Sequence, residues 1–347
     1  MFCIRQNAPS QKAGIELLCA GLQAERSRLG FESARNSMLF RHECCYLLGQ
    51  IGADCNDLDM KKVAFEALLK VLADVTEDEV TRHEAAEGIA AVFNHNVADE
   101  HGEAIHEYFE DMYRDTIGDE IVGTPVADDY TDDVSAEDDA DAIEQNSFSR
   151  RNAVLIRILS KFADLKTPLG QTCFLAVEGL RRQTARVCAC QYSSYDPALG
   201  DATATEADIP RYACILGDQS ARLFDRYVAM FTLRNLSAVD ELVDCLMTDR
   251  SSPVLRHEIC FILGQIEDEA AVRGLAKNLD SADHAMVRHE SAIALGSIGG
   301  EDAKTVLRKF IADPEEMVAE SCAVALDTIA YWEAWEAGEE RIRSSGD

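Results

Sequence analysis

Apolar residues in this chain recur at helical spacing. Ile259, Ile262, Leu263 and Ile266 stand at i, i+3, i+4 and i+7, which is one face of a helix. Cys44, Leu47, Leu48 and Ile51 keep the same spacing, and Ala292, Leu295 and Ile298 play a similar part around Gly296. Each of these runs follows the same tripeptide. Arg-His-Glu occurs at Arg41-His42-Glu43, Arg82-His83-Glu84, Arg256-His257-Glu258 and Arg288-His289-Glu290. The spacing predicts that each His-Glu lies in the first turn of an amphipathic helix.

The repeat reaches beyond the motifs. The copies form two pairs: one continues into Leu47-Leu48-Gly49-Gln50-Ile51 and Ile262-Leu263-Gly264-Gln265-Ile266, the other into Ala85-Ala86 and Ser291-Ala292. Met317 to Leu326 aligns with Met286 to Leu295, and Leu169 to Val177 aligns with Val318 to Leu326. A period of roughly 30 to 40 residues, two helices each, is the signature of an α-solenoid. The last two segments keep the packing residues but carry Glu320-Ser321 and Gln171-Thr172 in place of His-Glu. The repeat core therefore does not need His-Glu. The fold expected is all-α, in two pseudo-symmetric lobes. The first spans 1–182 with an acidic insertion at about 93–150, a connector spans 183–220, and the second lobe spans 221–347.

Composition narrows the function. Hydrophobic residues make up 47% and charged residues 28%, as in a folded protein. A formal net charge of −30 argues against nucleic acid as a partner and favours cationic ones. Asp128-Asp129-Tyr130-Thr131-Asp132-Asp133, continuing to Asp141, reads as largely disordered because like charges at that density repel. No basic-plus-apolar leader and no apolar run of ~20 residues is present, so no membrane association is expected. The twelve Cys lack a C-x-x-C and read as reduced, buried thiols of a cytoplasmic protein.

Four imidazoles and four carboxylates at one repeated position are a supply of metal ligands. Carried on the second helix of each repeat, they are expected to converge from the two lobes on a shared di-metal site. Without Cys in the motif, Fe(II), Mn(II) or Zn(II) fits, and two His plus one carboxylate per half suits non-haem iron. Four carboxylates would balance the +4 of two ferrous ions. A single His-Glu at a helix start is usually only an acid near the positive end of the dipole; four matched copies are not so explained. The four Arg read as solvated or as salt-bridge partners. His106-Glu107, His95, His101 and His284 read as surface residues, and Cys188-Ala189-Cys190 as incidental. A metal-free repeat adaptor or lyase-type protein, and a Zn or Mn hydrolase with the same ligands, stay open at this point.

With these motifs the chain resembles the deoxyhypusine hydroxylases, HEAT-repeat enzymes with four His-Glu motifs. The match covers about Met38 to Val92 and Phe224 to Ile329, and Leu223 to Asn235 resembles the opening repeat of that family's second half. The resemblance implies a di-iron monooxygenase with two Fe2+ and O2 as co-substrate. One iron would be held by His42, His83 and Glu84, the other by His257, His289 and Glu290. Glu43 and Glu258 would lie near the metal and grip the substrate's amines. The substrate implied is the deoxyhypusine side chain of eukaryotic translation factor 5A, and the enzyme is expected to act as a monomer. The chain departs from the pattern in its acidic insertion, in a shortened repeat before Met38, and in Ile293 where the first half has Glu87.

Overall fold

The computed structural model describes residues 11–23, 37–93, 108–117, 147–182, 192 and 195–344. The acidic run, His95, His101, His106-Glu107 and Cys188-Ala189-Cys190 lie outside the described residues. No strand occurs among those described. No helix there is long and apolar enough to cross a membrane. The chain divides into two compact units, one running to Val187 with Ser193–Pro197, the other holding Cys188–Tyr192 and Ala198–Asp347.

In the first unit the helices are α1 (Gln11–Gln23), α2 (Met38–Asp54), α3 (Leu58–Ala73), α4 (Glu79–Phe93), α5 (Ser147–Ser160) and α6 (Pro168–Arg181). The second members of successive pairs, α2, α4 and α6, pack side by side as one layer, and α1, α3 and α5 back them. In the second unit the order is α7 (Ile209–Gly217), α8 (Leu223–Asn235), α9 (Val239–Thr248), α10 (Pro253–Ile266), α11 (Val272–Leu279), α12 (Ala285–Ile298), α13 (Gly300–Phe310) and α14 (Glu316–Ser344). Here α8, α10, α12 and α14 form the inner layer. Part of the stretch read as a connector is thus a helix, α7, packed on α8. Pro210 in that stretch stands in the helix's first turn, where proline removes no helical hydrogen bond.

The helix starts are set by local chemistry. Ser37 Oγ accepts the Phe40 N–H, Ser252 Oγ the Leu255 N–H, and Asp78 Oδ1 the Val80 N–H. At α12 the cap is His284, whose Nδ1 accepts the Met286 N–H. Counted from these caps, every His of the four motifs is the fifth helical residue. The His-Glu pairs therefore lie in the second turn, past the bare N–H groups, and not in the first turn as the apolar spacing suggested. The helix dipole accordingly offers them little, since its effect fades within that first turn.

Two devices hold the inner helices in register. One is close approach: a Cβ on Gly49 would come within 2.7 Å of Gly88 Cα, and one on Gly296 within 2.8 Å of Ala325 Cα. Only small residues let these backbones meet. The other is a chain of arginines. Arg226 on α8 reaches Asp249 at 2.8 Å, Arg256 on α10 reaches Asp249 at 3.0 Å and Asp283 at 2.6 Å, and Arg288 on α12 reaches Asp313 at 2.5 Å. Each acceptor precedes the next inner helix, so each guanidinium ties one repeat to its successor. Arg41 pairs with Glu77 in the same way, and Arg82 donates to the Leu72 carbonyl. Arg41, Arg256 and Arg288 are thus bridges between repeats, while Arg82 ties α4 to α3 within its own pair.

Asp249 is the most committed of these carboxylates, 1% exposed between two guanidiniums. Burial opposes the charged forms of Asp249 and Asp283, but hydrogen bonds and the facing arginines outweigh it; at Asp313 the Arg288 guanidinium dominates. All three carboxyls are held below the usual range. Their contribution to stability is complete above the unfolded carboxylate value of ~3.9 and is lost as pH falls through the lower folded values. Asp249→Asn should cost about 3–5 kcal/mol in urea unfolding at pH 7, because two buried cations lose a counter-charge. The gap from wild type should narrow below about pH 4. A cost under about 1 kcal/mol would make the bridge incidental.

Candidate metal centre

In the first unit α2 presents His42 and α4 presents His83-Glu84. The imidazole centroids lie 5.5 Å apart, and His42 Nε2 lies 3.3 Å from Glu84 Oε2. In the second unit α10 presents His257 and α12 presents His289-Glu290. These centroids are 5.6 Å apart, and Nε2 of His257 and of His289 lie 3.6 and 3.4 Å from the same oxygen, Glu290 Oε2. One rule covers both units: the histidine of one inner helix meets the glutamate of the next. Two imidazoles and one carboxylate converge each time, and all six residues are at most 7% exposed.

At His289 the hydroxyl behind the ring decides which nitrogen is presented. Ser321 Oγ donates to the Met317 carbonyl at 2.7 Å and lies 3.3 Å from His289 Nδ1. With its own proton engaged, that hydroxyl accepts from Nδ1–H, so Nε2 carries the lone pair toward Glu290. Thr172 Oγ1 stands 3.4 Å from His83 Nδ1. Ser321 and Thr172 belong to the repeats that lack His-Glu and occupy the glutamate position there. Sequence alignment shows them only in place of the motif glutamate; the structure sets both hydroxyls against the neighbouring imidazoles. Only their hydroxyls, at one aligned position in both halves, could have given a hint.

The donor set fits a divalent metal. Atoms bound to one ion at about 2.0–2.2 Å lie roughly 3–3.5 Å from each other, close to the 3.4 and 3.6 Å found here. Ligand atoms of His257, His289 and Glu290 lie within 4.8 Å of one another, as do those of His83, Glu84 and Glu87. Neither of these groups takes in Glu43 or Glu258. Glu43 is half-buried with Oε1 3.3 Å from His42 Nδ1, and Glu258 is buried. Burial disfavours a charged His42, but the Glu43 and Glu84 carboxylates outweigh it and hold the imidazole up at about 10. Metal uptake there must displace a proton. Burial pushes the thiols of Cys44, Cys45, Cys173 and Cys260 up, Cys44 to about 12, so they stay protonated and are poor ligands. Among the described cysteines, Cys214 is the exposed exception to the buried thiols expected.

Residues 239–327 match the HEAT-repeat family. The chain is 32% identical over 314 residues to deoxyhypusine hydroxylase of Mus musculus, covering 87% of this chain and 79% of the relative. To that of Danio rerio it is 33% identical over 306 residues, covering 85% and 77%. The solved structure of human deoxyhypusine hydroxylase in complex with glycerol superposes with a TM-score of 0.62 at 28% identity, covering 95% of this chain and 88% of that one. Fold and site together define an all-helical HEAT-repeat enzyme whose inner helices carry paired His-Glu motifs. At this identity and coverage, the chain belongs to the deoxyhypusine hydroxylase family.

The hydroxyls behind the imidazoles give a specific expectation. Ser321→Ala and Thr172→Val remove one oxygen each and should weaken metal binding about 10–100-fold, as loss of an orienting partner does, with little change in helicity. Cobalt titration followed by visible absorption reads this directly. Unchanged affinity in both variants would show that the rings are held by packing alone.

Proposed function

We propose that this chain hydroxylates the deoxyhypusine side chain of eukaryotic translation factor 5A, using dioxygen and one ferrous ion in each half-site. The supporting observation is the convergence of two imidazoles and one carboxylate in each unit of a chain that belongs to this family. His42, His83 and Glu84 would hold one iron, and His257, His289 and Glu290 the other. Bound iron supplies dioxygen activation, and two ferrous ions can furnish the two electrons that a hydroxylation by O2 needs beyond those of the C–H bond. Nitrogen and oxygen donors with open positions suit that metal.

The rest is the work of side chains. The Ser321 hydroxyl keeps Nε2 of His289 free of a proton, and Thr172 Oγ1 stands behind His83 at Nδ1. Deoxyhypusine is a lysine extended by an aminobutyl group, so it brings two cationic amines. Glu43 and Glu258 are outside the three-residue ligand groups and supply carboxylates for those amines. A charge-assisted hydrogen bond is worth roughly 1.5–3 kcal/mol. The enzyme is proposed to act as a cytoplasmic monomer on the protein substrate.

Purified protein should contain about two irons per chain, and His83→Ala or His289→Ala should lose iron, since an ion with one of three protein ligands deleted is poorly held. Incubated with enzyme, labelled dioxygen and a reductant, deoxyhypusine-bearing factor 5A should gain one labelled oxygen by mass spectrometry. Zinc alone in protein expressed with iron available, or label arriving from water, would defeat the oxygenase reading. Glu43→Gln and Glu258→Gln should keep iron while weakening substrate binding about ten- to hundred-fold.

A further inference from the structure

In the second unit each inner helix turns one side to its successor, and α14 has that side exposed. On α10 and α12 the side carries Gly264 and Gly296, which lie against Ala294 and Ala325 of the next helix. At the matching position α14 has Asp327. A carboxylate there bars a further inner helix packed in the same way, because its charge would be buried without a counter-charge. Around Asp327 the same side presents Val324, Tyr331 and Trp335, which are 46%, 45% and 54% exposed. Seven and four residues apart, they form one stripe along the helix. Exposed apolar residues gathered on one face mark an interaction surface, and Tyr and Trp are the residues that most often anchor one.

The charge around the stripe has one sign. From Ile311 to Glu340 the chain has no Lys or Arg, while acids recur from Asp313 to Glu340. Lys304 of α13 pairs with Glu333 at 2.6 Å, and Asp327 remains the carboxylate within the stripe. A second copy of this helix would bring like charges together. A face with Lys or Arg beside apolar residues matches it, since a cation can lie over a phenol or indole ring and meet Asp327. The same helix also touches the metal centre. Ser321, which stands behind His289, comes three residues before Val324. At 1.5 Å per residue the stripe runs from about 5 to about 21 Å beyond Ser321 along the helix. A protein that sends one long side chain to the metals keeps its body outside, within that range.

Resting on the function proposed above, we propose that Val324, Tyr331 and Trp335 of α14, with Asp327 among them, dock a basic face of the protein substrate while its deoxyhypusine arm enters the metal centre. The two aromatic rings take the apolar and cationic side chains of that face, and Asp327 supplies counter-charge. The metal centre then acts on the arm, and α14 selects the protein that carries it.

The test compares two substrates of the iron-loaded enzyme, intact deoxyhypusine-bearing factor 5A and a short peptide with the same residue. Wild type should take the intact protein with a KM about tenfold or more below that for the peptide, since a second contact is engaged. Trp335→Ser and Asp327→Lys, both at exposed positions, should each raise the KM for the protein about tenfold, as loss of an interface anchor does. Iron content, kcat and the KM for the peptide should not change. An unchanged KM for the protein in both variants would overturn the docking surface. So would an equal rise for the peptide, which marks a structural effect on the site. Sedimentation of the enzyme alone tests the competing occupant: a wild-type dimer that Trp335→Ser dissolves would give this face to a second copy and overturn the proposal. If wild type modifies neither substrate, the proposed function itself fails; turnover of both with equal KM defeats the docking surface alone.

Discussion

Electron-rich atoms are buried face to face in this protein, and the surrounding structure serves to keep them there. In the second unit Nε2 of His257 and of His289 lie 3.6 and 3.4 Å from one Glu290 oxygen, with no exposed side chain among them. Such an arrangement repels itself unless a proton or a metal ion lies between the atoms. The proton solution is visible at His42, where two carboxylates hold the ring charged. Where a hydroxyl fixes the proton on the far nitrogen, as Ser321 does for His289, that ring is left to accept, and either a proton on His257 or a metal ion relieves the repulsion. The arginine bridges and the small-residue contacts then acquire a purpose beyond stability: they prevent the inner helices from sliding apart to relieve the repulsion.

Neighbouring residues in the motif divide this labour by angle. Successive helix residues point about 100° apart. Arg256 therefore turns to the loop carboxylates Asp249 and Asp283, while His257 turns to Glu290 of the next helix. Helix α8 separates the two functions. It has Arg226-Tyr227 where the later helices have Arg-His, and Arg226 makes the same bridge to Asp249. The bridge is a property of the repeat, and the imidazole is an addition to it.

Much of this could be read before any coordinates, because apolar spacing and repeated tripeptides report directly on which helices share a layer. The helical class, the pairing of motifs and the set of His and Glu residues all came from recurrence. What recurrence does not report is which neighbour a side chain faces. It placed His-Glu in the first turn because the apolar run begins there, whereas the caps Ser37, Asp78, Ser252 and His284 lie five residues back. It showed Thr172 and Ser321 only as what stands in place of the motif in two repeats, since a hydroxyl carries no chemical label until its imidazole partner is found across the helix gap. It read Pro210 as linker, although a proline in a first turn starts a helix as readily as it ends one. Glu87 was visible only as a break in the match between halves.

The net charge of −30 is a poor account of substrate choice on its own. At physiological ionic strength exposed charges are screened over about 8 Å, so acidic residues spread over the surface hasten the approach of a cation without selecting among cations. Selection needs carboxylates that water does not screen. Glu84, Glu258, Glu290 and Asp196 are all at most 7% exposed, and a buried carboxylate strongly demands a partner. Imidazoles stand beside two of them: His42 Nε2 lies 3.3 Å from Glu84, and His257 and His289 Nε2 lie 3.6 and 3.4 Å from Glu290. The placement of histidine beside a buried carboxylate, more than the number of acids, is what sets these positions apart from the rest of the acidic chain.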